Sequence, residues 1–212
     1  MRVVKKAEER RNEILDAADE LFSQKGFDGT STKDIIEMVG IARGTLYHHF
    51  KSKEDIMDGL INRYNDRLLK AAKEIAKDKS IPAIERIIRV VMAVNLINTG
   101  GTEVMDHLHK PQNALMHQKI QKSIINKLTP ILADIIRDGI EGGIFKTPYP
   151  YETMEMALAY TNTVFDNDMV EMNKEERKAR IQAFIFNIER MLGVESGGLK
   201  CFNRIFDIEN EA

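Results

Sequence analysis

Apolar residues recur at helical spacing along most of the chain. In the first such segment, "ERRNEILDAADELFSQKGF", one face of a helix would carry the residues Ile14, Ala17, Ala18, Leu21 and Phe22. Gly26 follows the last lysine as a stop signal for this helix. The pattern therefore predicts an all-α protein, because comparable helical segments follow and no stretch has a convincing strand pattern.

Capping signals divide the next 30 residues into short helices. Ser31 and Asp34 are spaced as a capping box, in which each side chain satisfies an exposed amide, and Gly40 ends that segment. Ser52 and Asp55 repeat the spacing ahead of a long amphipathic run, "IMDGLINRYNDRLLKAAKEIA". We therefore expect three short helices, followed by a long fourth one.

Further helices are expected throughout the rest of the chain. The polar break "KDKSIP" ends the fourth helix, and Pro82 is well placed to start the next. Another helix should begin near Pro111, and Pro130 either kinks it or restarts it. After the turn "KTPYPYE" come two last helices. The second should begin at a third capping box, Asn173 with Glu176, and stop at Gly193.

The turn between the second and third helices predicts a helix-turn-helix. In "EMVGIARGT" Gly40 frees the backbone to turn between the apolar residues Val39 and Ile41. Leu46 and Phe50 stand four positions apart and would bury the inner face of the third helix. In a helix-turn-helix this second of the two helices lies in the major groove of DNA.

The other faces of the third helix carry side chains that suit DNA. Arginine can bond a guanine edge through two donors, threonine offers a hydroxyl and a methyl, and tyrosine or histidine can reach phosphates. The residues concerned are Arg43, Thr45, Tyr47, His48 and His49. Gly44 would let the backbone approach DNA, and Lys53 would supply a cation beside free amides at the start of the fourth helix.

The overall charge of the chain means that any surface that binds nucleic acid must be confined to one part of the protein. The 212 residues carry a formal net charge of -2, so no overall basic charge attracts DNA. The single cysteine, Cys201, excludes an internal disulfide or a multi-cysteine metal site and suits the cytoplasm. No apolar run approaches the roughly 20 residues of a spanning helix, and "MRVVKKAEERR" lacks the apolar core of a signal peptide. We expect a soluble, unprocessed cytoplasmic protein.

The segment from Lys25 to Asp55 closely resembles the DNA-binding domain of the TetR family (TetR/AcrR type) of bacterial transcriptional repressors. The matching pieces are "LFSQKGFDGTSTKDII" and "VGIARGTLYHHFKSKEDI". The resemblance implies direct or phosphate contacts at Thr32, Lys33, Arg43, Gly44, Thr45, Tyr47, His48, His49 and Lys53. One departure is Ala42, where a serine or threonine often precedes the recognition helix; losing that cap typically costs about 1 kcal/mol of helix stability.

The same resemblance implies two domains and a dimer. Residues 1–52 would form the helix-turn-helix domain and residues 53–212 a helical effector-binding and dimerisation domain. Such proteins usually bind as dimers, because two recognition helices enter successive major grooves about 34 to 36 Å apart. The last two helices are the expected homodimer surface, unless this face packs only inside its own subunit: Ile181, Phe184, Ile185, Ile188, Met191 and Leu192.

In the resembled family the middle helices enclose a small-molecule pocket, and its occupancy lowers the affinity for the operator. The candidate lining residues are Met92, Asn95, Asn98, Met105, His109, Met116, Tyr160, Asn162 and Phe165. They do not identify the inducer, and methionines at helical spacing are more often plain core. We expect a repressor that binds double-stranded operator DNA and is released by this small molecule.

Two other functional classes fit the sequence less well. His107, His109 and His117 could bind zinc in a helical metalloenzyme, but residues two apart on a helix point to different faces. The chain also lacks a glycine-rich phosphate loop, a nucleophile elbow and paired histidines at metalloprotease spacing, so we expect neither an enzyme nor a cofactor. A structural or adaptor bundle would leave the basic and aromatic residues of the third helix without a use.

Overall fold

The structure is a computed structural model that describes residues 7–99, 114–165, 170 and 172–206. Its helices are α1 (Ala7–Lys25), α2 (Thr32–Val39), α3 (Arg43–His49), α4 (Lys53–Lys77), α5 (Ala83–Thr99), α6 (Ala114–Glu141), α7 (Pro150–Val164) and α8 (Lys174–Leu192). A 3-10 helix, Lys200–Phe206, follows α8. The described ranges contain no strand, and the predicted all-α fold class is confirmed.

The chain divides into two compact units. One comprises Met1–Asp66 and Thr99–Lys122, and the other comprises Arg67–Asn98 and Ser123–Ala212. The boundary expected between residues 52 and 53 lies at the start of α4, whereas the first unit continues along that helix to Asp66.

The first unit buries the predicted apolar face of α1. Its buried residues are Ile14, Leu15, Ala17, Ala18, Leu21 and Phe22. The other helices of this unit add Ile35, Leu46, Ile56, Met57 and Leu60, all fully buried. A methyl group added at Gly59 of α4 would lie only 2.9 Å from the ring of Phe50 and 3.1 Å from the side chain of Leu15. The residue Gly59 therefore lets α4 pack closely in this core.

Two of the three predicted capping boxes are confirmed in full. The Ser31 hydroxyl accepts a hydrogen bond from the Asp34 amide at 3.2 Å, and the Asp34 carboxylate accepts one from the Ser31 amide at 2.8 Å. Asn173 and Glu176 form the same reciprocal pair at the start of α8. Ahead of α4, Ser52 accepts from the Asp55 amide as expected, but the Asp55 carboxylate accepts from the Lys51 amide instead of closing the box.

Glycines end the two helices that begin with a complete capping box, α2 and α8. Gly40 and Gly193 follow α2 and α8 with φ values of 69° and 66°, in the left-handed region that glycine adopts without a steric penalty. Each helix therefore stops where its sequence signal predicts.

The second unit has its own apolar core, built from the end of α4, from α5 to α8 and from the 3-10 helix. Within it, α6 continues through Pro130, so the alternative of a restart at this proline is wrong. The Thr129 hydroxyl donates to the Ile125 carbonyl at 2.6 Å beside the proline. Buried Arg86 donates to the Ala76 carbonyl and to the Asp138 carboxylate, each at 2.8 Å, and so joins α4, α5 and α6.

The segment after α8 is part of this second core. Leu199 and Phe202 are buried in the same apolar cluster as the inner face of α8. The carboxylate of Glu189, itself only 4% exposed, accepts hydrogen bonds from the amides of Gly197 at 3.0 Å and Leu199 at 2.9 Å. Glu189 therefore fixes the backbone that leads into the 3-10 helix.

Candidate nucleic-acid interface

The third helix is anchored by two side chains and exposes most of the others. Leu46 is fully buried and Phe50 is 2% exposed, as predicted for the inner face. The turn before the helix is closed by the amides of Gly40 and Ile41, which both donate to the Ile36 carbonyl. The exposed residues of α3 are Arg43, Gly44, Tyr47 and His48. The local sequence therefore holds α3 against the first unit by one face and leaves the chemically useful face open.

Tyr47 connects the start of α2 with the start of α3. A side-chain hydrogen bond from Thr32 is the main reason that the pKa of Tyr47 lies below its usual value, and the nearby Arg43 lowers the pKa further. The Arg43 guanidinium carbon lies 5.5 Å from the centre of the Tyr47 ring. The structure thus brings three of the predicted contact residues into one polar surface, which we call the Tyr47 surface: Thr32, Arg43 and Tyr47.

The two histidines lie at the other end of α3. Their rings meet edge to face, with centroids 5.2 Å apart. Burial is the main reason that the pKa of His49 lies below its usual value, and electrostatic interactions with His48, Arg11 and Arg10 lower it further. His49 is therefore mostly uncharged at neutral pH, whereas the side chain of His48 is exposed.

Two arginines of α1, Arg10 and Arg11, lie at this end of the site. The sequence pattern does not predict their position. The guanidinium carbon of Arg11 lies 4.9 Å from the centre of the Phe50 ring, and Arg10 pairs with Glu13 at 2.6 Å. The prediction of α1 rests on its apolar stripe alone, which gives no indication that its first turn approaches the end of α3.

The two lysines among the predicted DNA contacts differ from each other. The side chain of Lys33 is 82% exposed and lies 3.6 Å from Glu37. Lys53 is partly buried, and its ammonium donates to the carbonyls of Phe27 at 2.6 Å and Thr30 at 2.8 Å. It also lies 4.2 Å from the centre of the Phe27 ring. Lys53 is thus already engaged with backbone carbonyls of the first unit, and its contact with phosphate stays a prediction.

The recognition helix has an extended residue but no side-chain hydrogen bond at its start. Ala42 has φ -73° and ψ 147°, which is the backbone of a normal N-cap residue. The departure from the family pattern therefore removes a hydrogen bond without changing the local backbone.

Replacing Ala42 with serine is expected to raise the free energy of unfolding by about 1 kcal/mol, because the hydroxyl can accept from a free amide of the first turn. Urea denaturation followed by circular dichroism measures the change. Ser31→Ala is the matched control and should lose a comparable amount at the start of α2. An unchanged midpoint for Ala42→Ser would mean that α3 gains nothing from a cap.

Four of the residues predicted for the dimer surface are not available to a partner. Ile181, Ile185, Ile188 and Leu192 are buried in the core of their own unit, so for them the alternative of packing inside the subunit holds. Phe184 and Met191 are partly buried against the same core. The large apolar side chains that α7 and α8 expose are instead Met156, Tyr160 and Phe186.

Some of the predicted effector residues lie together in the second unit. Tyr160 and Phe165 belong to a cluster of aromatic rings with Phe184 and Phe206, in which neighbouring centroids are 5.3 to 6.2 Å apart. Met92 packs against the core, and Asn162 is half-buried. The remaining candidates lie outside the described residues or have side chains that are not described: Met105 and His109, and Asn95, Asn98 and Met116.

The proposed metal ligands His107 and His109 also lie outside the described residues. His117 is described, and its Nε2 atom lies 3.2 Å from Nε2 of Gln121. In the part of the chain that is described, no three histidine, cysteine, aspartate or glutamate side chains are grouped so that they could hold a metal ion. No helix in the described ranges has the length and apolar character needed to cross a membrane.

The sequence matches known regulators in both halves. Residues 14–60 match the family described as "Bacterial regulatory proteins, tetR family", and residues 96–186 match "Tetracyclin repressor-like, C-terminal domain". The HTH-type transcriptional repressor KstR2 of Mycobacterium tuberculosis is 30% identical over 156 residues, which cover 68% of this chain and 74% of that protein. A fatty acid metabolism regulator protein of Bacillus subtilis is 29% identical over 137 residues, covering 63% of this chain and 70% of that protein.

Solved structures share the fold at lower identity. SmeT, the repressor of the Stenotrophomonas maltophilia multidrug efflux pump SmeDEF, has a TM-score of 0.65 and 18% identity, with 88% of this chain and 91% of SmeT covered. A gamma-butyrolactone receptor has a TM-score of 0.56 and 18% identity, with 97% of this chain and 99% of the receptor covered. Together with the exposed, well-anchored α3, the family matches show that this chain belongs to the TetR family of bacterial transcriptional regulators.

Proposed function

We propose that this regulator represses transcription as a homodimer whose two copies of α3 enter successive major grooves of one operator, and that a small molecule releases it. The observation that carries the proposal is the anchoring of α3. Leu46 and Phe50 bury its inner face, while Arg43, Gly44 and Tyr47 remain exposed beside it. The relationship to a protein named as a repressor supports repression.

The proposed DNA contacts divide into two kinds. Arg43 is the best candidate for reading a base, because a guanidinium can bond both acceptors of guanine in the major groove. The ring of Tyr47, 5.5 Å away, restricts the orientation of that guanidinium. Thr45 is the second candidate for base contacts. Backbone contacts, which fix register but carry no sequence information, are assigned to the remaining exposed polar residues: Thr32, Lys33, Tyr47 and His48.

The proposed dimer surface is the exposed apolar face of α7 and α8. Its large side chains are Met156 and Phe186, and the small exposed residues Ala159 and Ala183 would let two helices approach closely. Pairing two helices from each subunit across a two-fold axis would form a four-helix bundle. Such an axis would repeat α3 in the way that a partly palindromic operator requires.

The proposed effector site lies in the second unit. Met92, Tyr160, Asn162 and Phe165 are the described candidates, and they supply apolar, aromatic and amide groups. A ligand can release the operator only if it binds the released state more tightly, and a nearly complete switch takes about 5.5 kcal/mol of differential affinity.

Specific binding to the promoter DNA that flanks the gene is the expected result for the purified protein. Fluorescence anisotropy at several salt concentrations, with nonspecific DNA as control, measures it. Arg43→Ala should reduce discrimination at one base pair per half-site by about 1–3 kcal/mol, with much less effect on nonspecific binding. If the unchanged protein binds promoter and control DNA with equal affinity, the operator would next be sought among DNA fragments selected from the whole genome. Selection of no specific fragment would contradict the proposal.

A further inference from the structure

We infer that Lys53 positions the helix-turn-helix by holding the turn between α1 and α2, and that it does not neutralise a DNA phosphate. The inference rests on the proposed binding of operator DNA by α3. It concerns a residue whose position in the sequence, at the first turn of α4, otherwise indicates a phosphate contact.

The ammonium group of Lys53 is occupied on several sides. A lysine ammonium has three N–H donors, and in Lys53 two carbonyl oxygens, of Phe27 and Thr30, accept hydrogen bonds from it at 2.6 and 2.8 Å. The aromatic ring of Phe27 lies 4.2 Å from the same nitrogen, within the range of a cation–π contact. A phosphate would have to compete with these contacts, whereas Lys33 is exposed and could meet one directly.

The turn that Lys53 holds is tightly bonded. Buried Thr30 donates from its hydroxyl to the Gly26 carbonyl at 2.8 Å and to the Leu21 carbonyl at 3.2 Å. Its amide donates to the Phe27 carbonyl at 3.2 Å, so that this oxygen serves both the turn and the ammonium. Removing the ammonium would leave the Thr30 carbonyl without its 2.8 Å donor and would weaken the turn at its centre.

The turn leads directly into residues of the candidate interface. Ser31 follows Thr30 and is the N-cap of α2, and Thr32 follows Ser31 and is hydrogen-bonded to Tyr47. The contacts of Lys53 therefore fix the backbone next to the Tyr47 surface. If the turn is ordered only part of the time, the apparent affinity of one subunit for DNA falls in proportion to the ordered fraction, and that of the dimer falls with the square of this fraction.

A positioning residue and a phosphate contact differ in their salt dependence. Each phosphate contact that is lost lowers the slope of log affinity against log salt concentration by about 0.9. Loss of a positioning residue lowers the affinity at every salt concentration but leaves the slope unchanged, since no counterion is involved.

The test compares Lys53→Met with Lys33→Met in the full-length protein. Methionine keeps most of the apolar stem of Lys53 but removes its ammonium. Operator affinity is measured by fluorescence anisotropy across a salt series, and hydrogen exchange of the peptide covering residues 27–36 is measured without DNA. For Lys53→Met we expect faster exchange in this peptide and an affinity about a hundredfold lower at all salt concentrations, as follows for a dimer in which the turn of each subunit is ordered about a tenth of the time. Lys33→Met should keep the exchange rate of the unchanged protein.

A flatter salt slope for Lys53→Met, by about 0.9 per subunit, together with unchanged exchange would overturn the inference and assign Lys53 to a phosphate. If Lys53→Met does not fold, Lys53→Gln tests the charge alone, because its amide is uncharged and can still donate to a carbonyl. A phosphate contact predicts a flatter salt slope for Lys53→Gln, whereas a positioning role predicts an unchanged slope. Failure of the unchanged protein to bind any specific DNA would contradict the proposed function, and the exchange measurement would still show whether Lys53 orders the turn.

Discussion

Replacing Gly44 with alanine is expected to stabilise the free protein while strongly weakening operator binding. A Cβ atom built at Gly44 meets no other atom of the chain within 4 Å, and the residue is exposed. Alanine is favoured over glycine inside a helix by about 1 kcal/mol, so the free protein should gain stability. A loss of DNA affinity must then come from contact between the new methyl group and the DNA.

The size of this loss follows from the number of recognition helices. If the methyl group displaces one good base contact in each half-site, the cost is about 1–3 kcal/mol per subunit and about 2–6 kcal/mol per dimer. Operator affinity should therefore fall between about 30-fold and about 10⁴-fold. Fluorescence anisotropy with operator DNA and urea denaturation of the same preparation measure the two opposite effects.

Gly142→Ala is the matched control for this experiment. A Cβ atom at Gly142 would make only ordinary contacts, the nearest 3.5 Å from the Asp138 carbonyl, and the residue lies directly after α6 in the other unit. Its operator affinity should stay the same. If Gly44→Ala also bound the operator as tightly as the unchanged protein, α3 would not approach DNA at Gly44, and the proposed orientation of the recognition helix would be wrong.

The helix boundaries could be predicted because their signals are local. The pairs Ser31 and Asp34, and Asn173 and Glu176, each lie within one helical turn, so spacing alone predicts their mutual hydrogen bonds. The exception is Asp55, whose carboxylate accepts from Lys51, one residue before the expected partner. Even there the start of α4 is predicted correctly, because Ser52 still accepts from the Asp55 amide.

The candidate site could be predicted only where its residues share one helix. The spacing of Leu46 and Phe50 distinguishes the buried face of α3 from its exposed face. The carbonyl partners of Lys53 are 23 and 26 residues away in the chain, so no local pattern indicates them. Likewise, the apolar stripe of α8 shows that Ile181, Ile185 and Ile188 share a face, but it does not show which surface covers that face.

The segment that follows α8 supplies part of the surface that covers the inner face of this helix. Leu199 and Phe202 join the same apolar cluster as the inner face of α8, and Phe206 packs in the aromatic cluster with Phe184. A short helix after a glycine pair gives little indication in the sequence that it completes a core. The hydrogen bonds of Glu189 explain how this segment is held in place.

Replacing Glu189 with alanine is expected to lower the free energy of unfolding by about 3–6 kcal/mol. Each of its two hydrogen bonds joins a backbone amide to a buried carboxylate, and bonds to charged groups contribute about 1.5–3 kcal/mol each. Urea denaturation followed by circular dichroism measures the loss. Glu195→Ala is the control, because the side chain of Glu195 is exposed in the same segment, and its effect should stay within about 0.5 kcal/mol.

Proteolysis separates the carboxylate from the apolar contacts that hold the same segment. Trypsin cleaves after lysine and arginine, and Lys200 and Arg204 lie in the 3-10 helix beside buried Leu199 and Phe202. If the Glu189 bonds order this helix, Glu189→Ala should be cleaved there much faster than Glu195→Ala under native conditions, because local opening would no longer require the rest of the core to unfold. Equal cleavage rates and equal unfolding midpoints would mean that burial of Leu199 and Phe202 suffices to hold the segment. In the Glu189→Ala variant the amides of Gly197 and Leu199 would then form hydrogen bonds with water instead, and the buried carboxylate would contribute little to the free energy of unfolding.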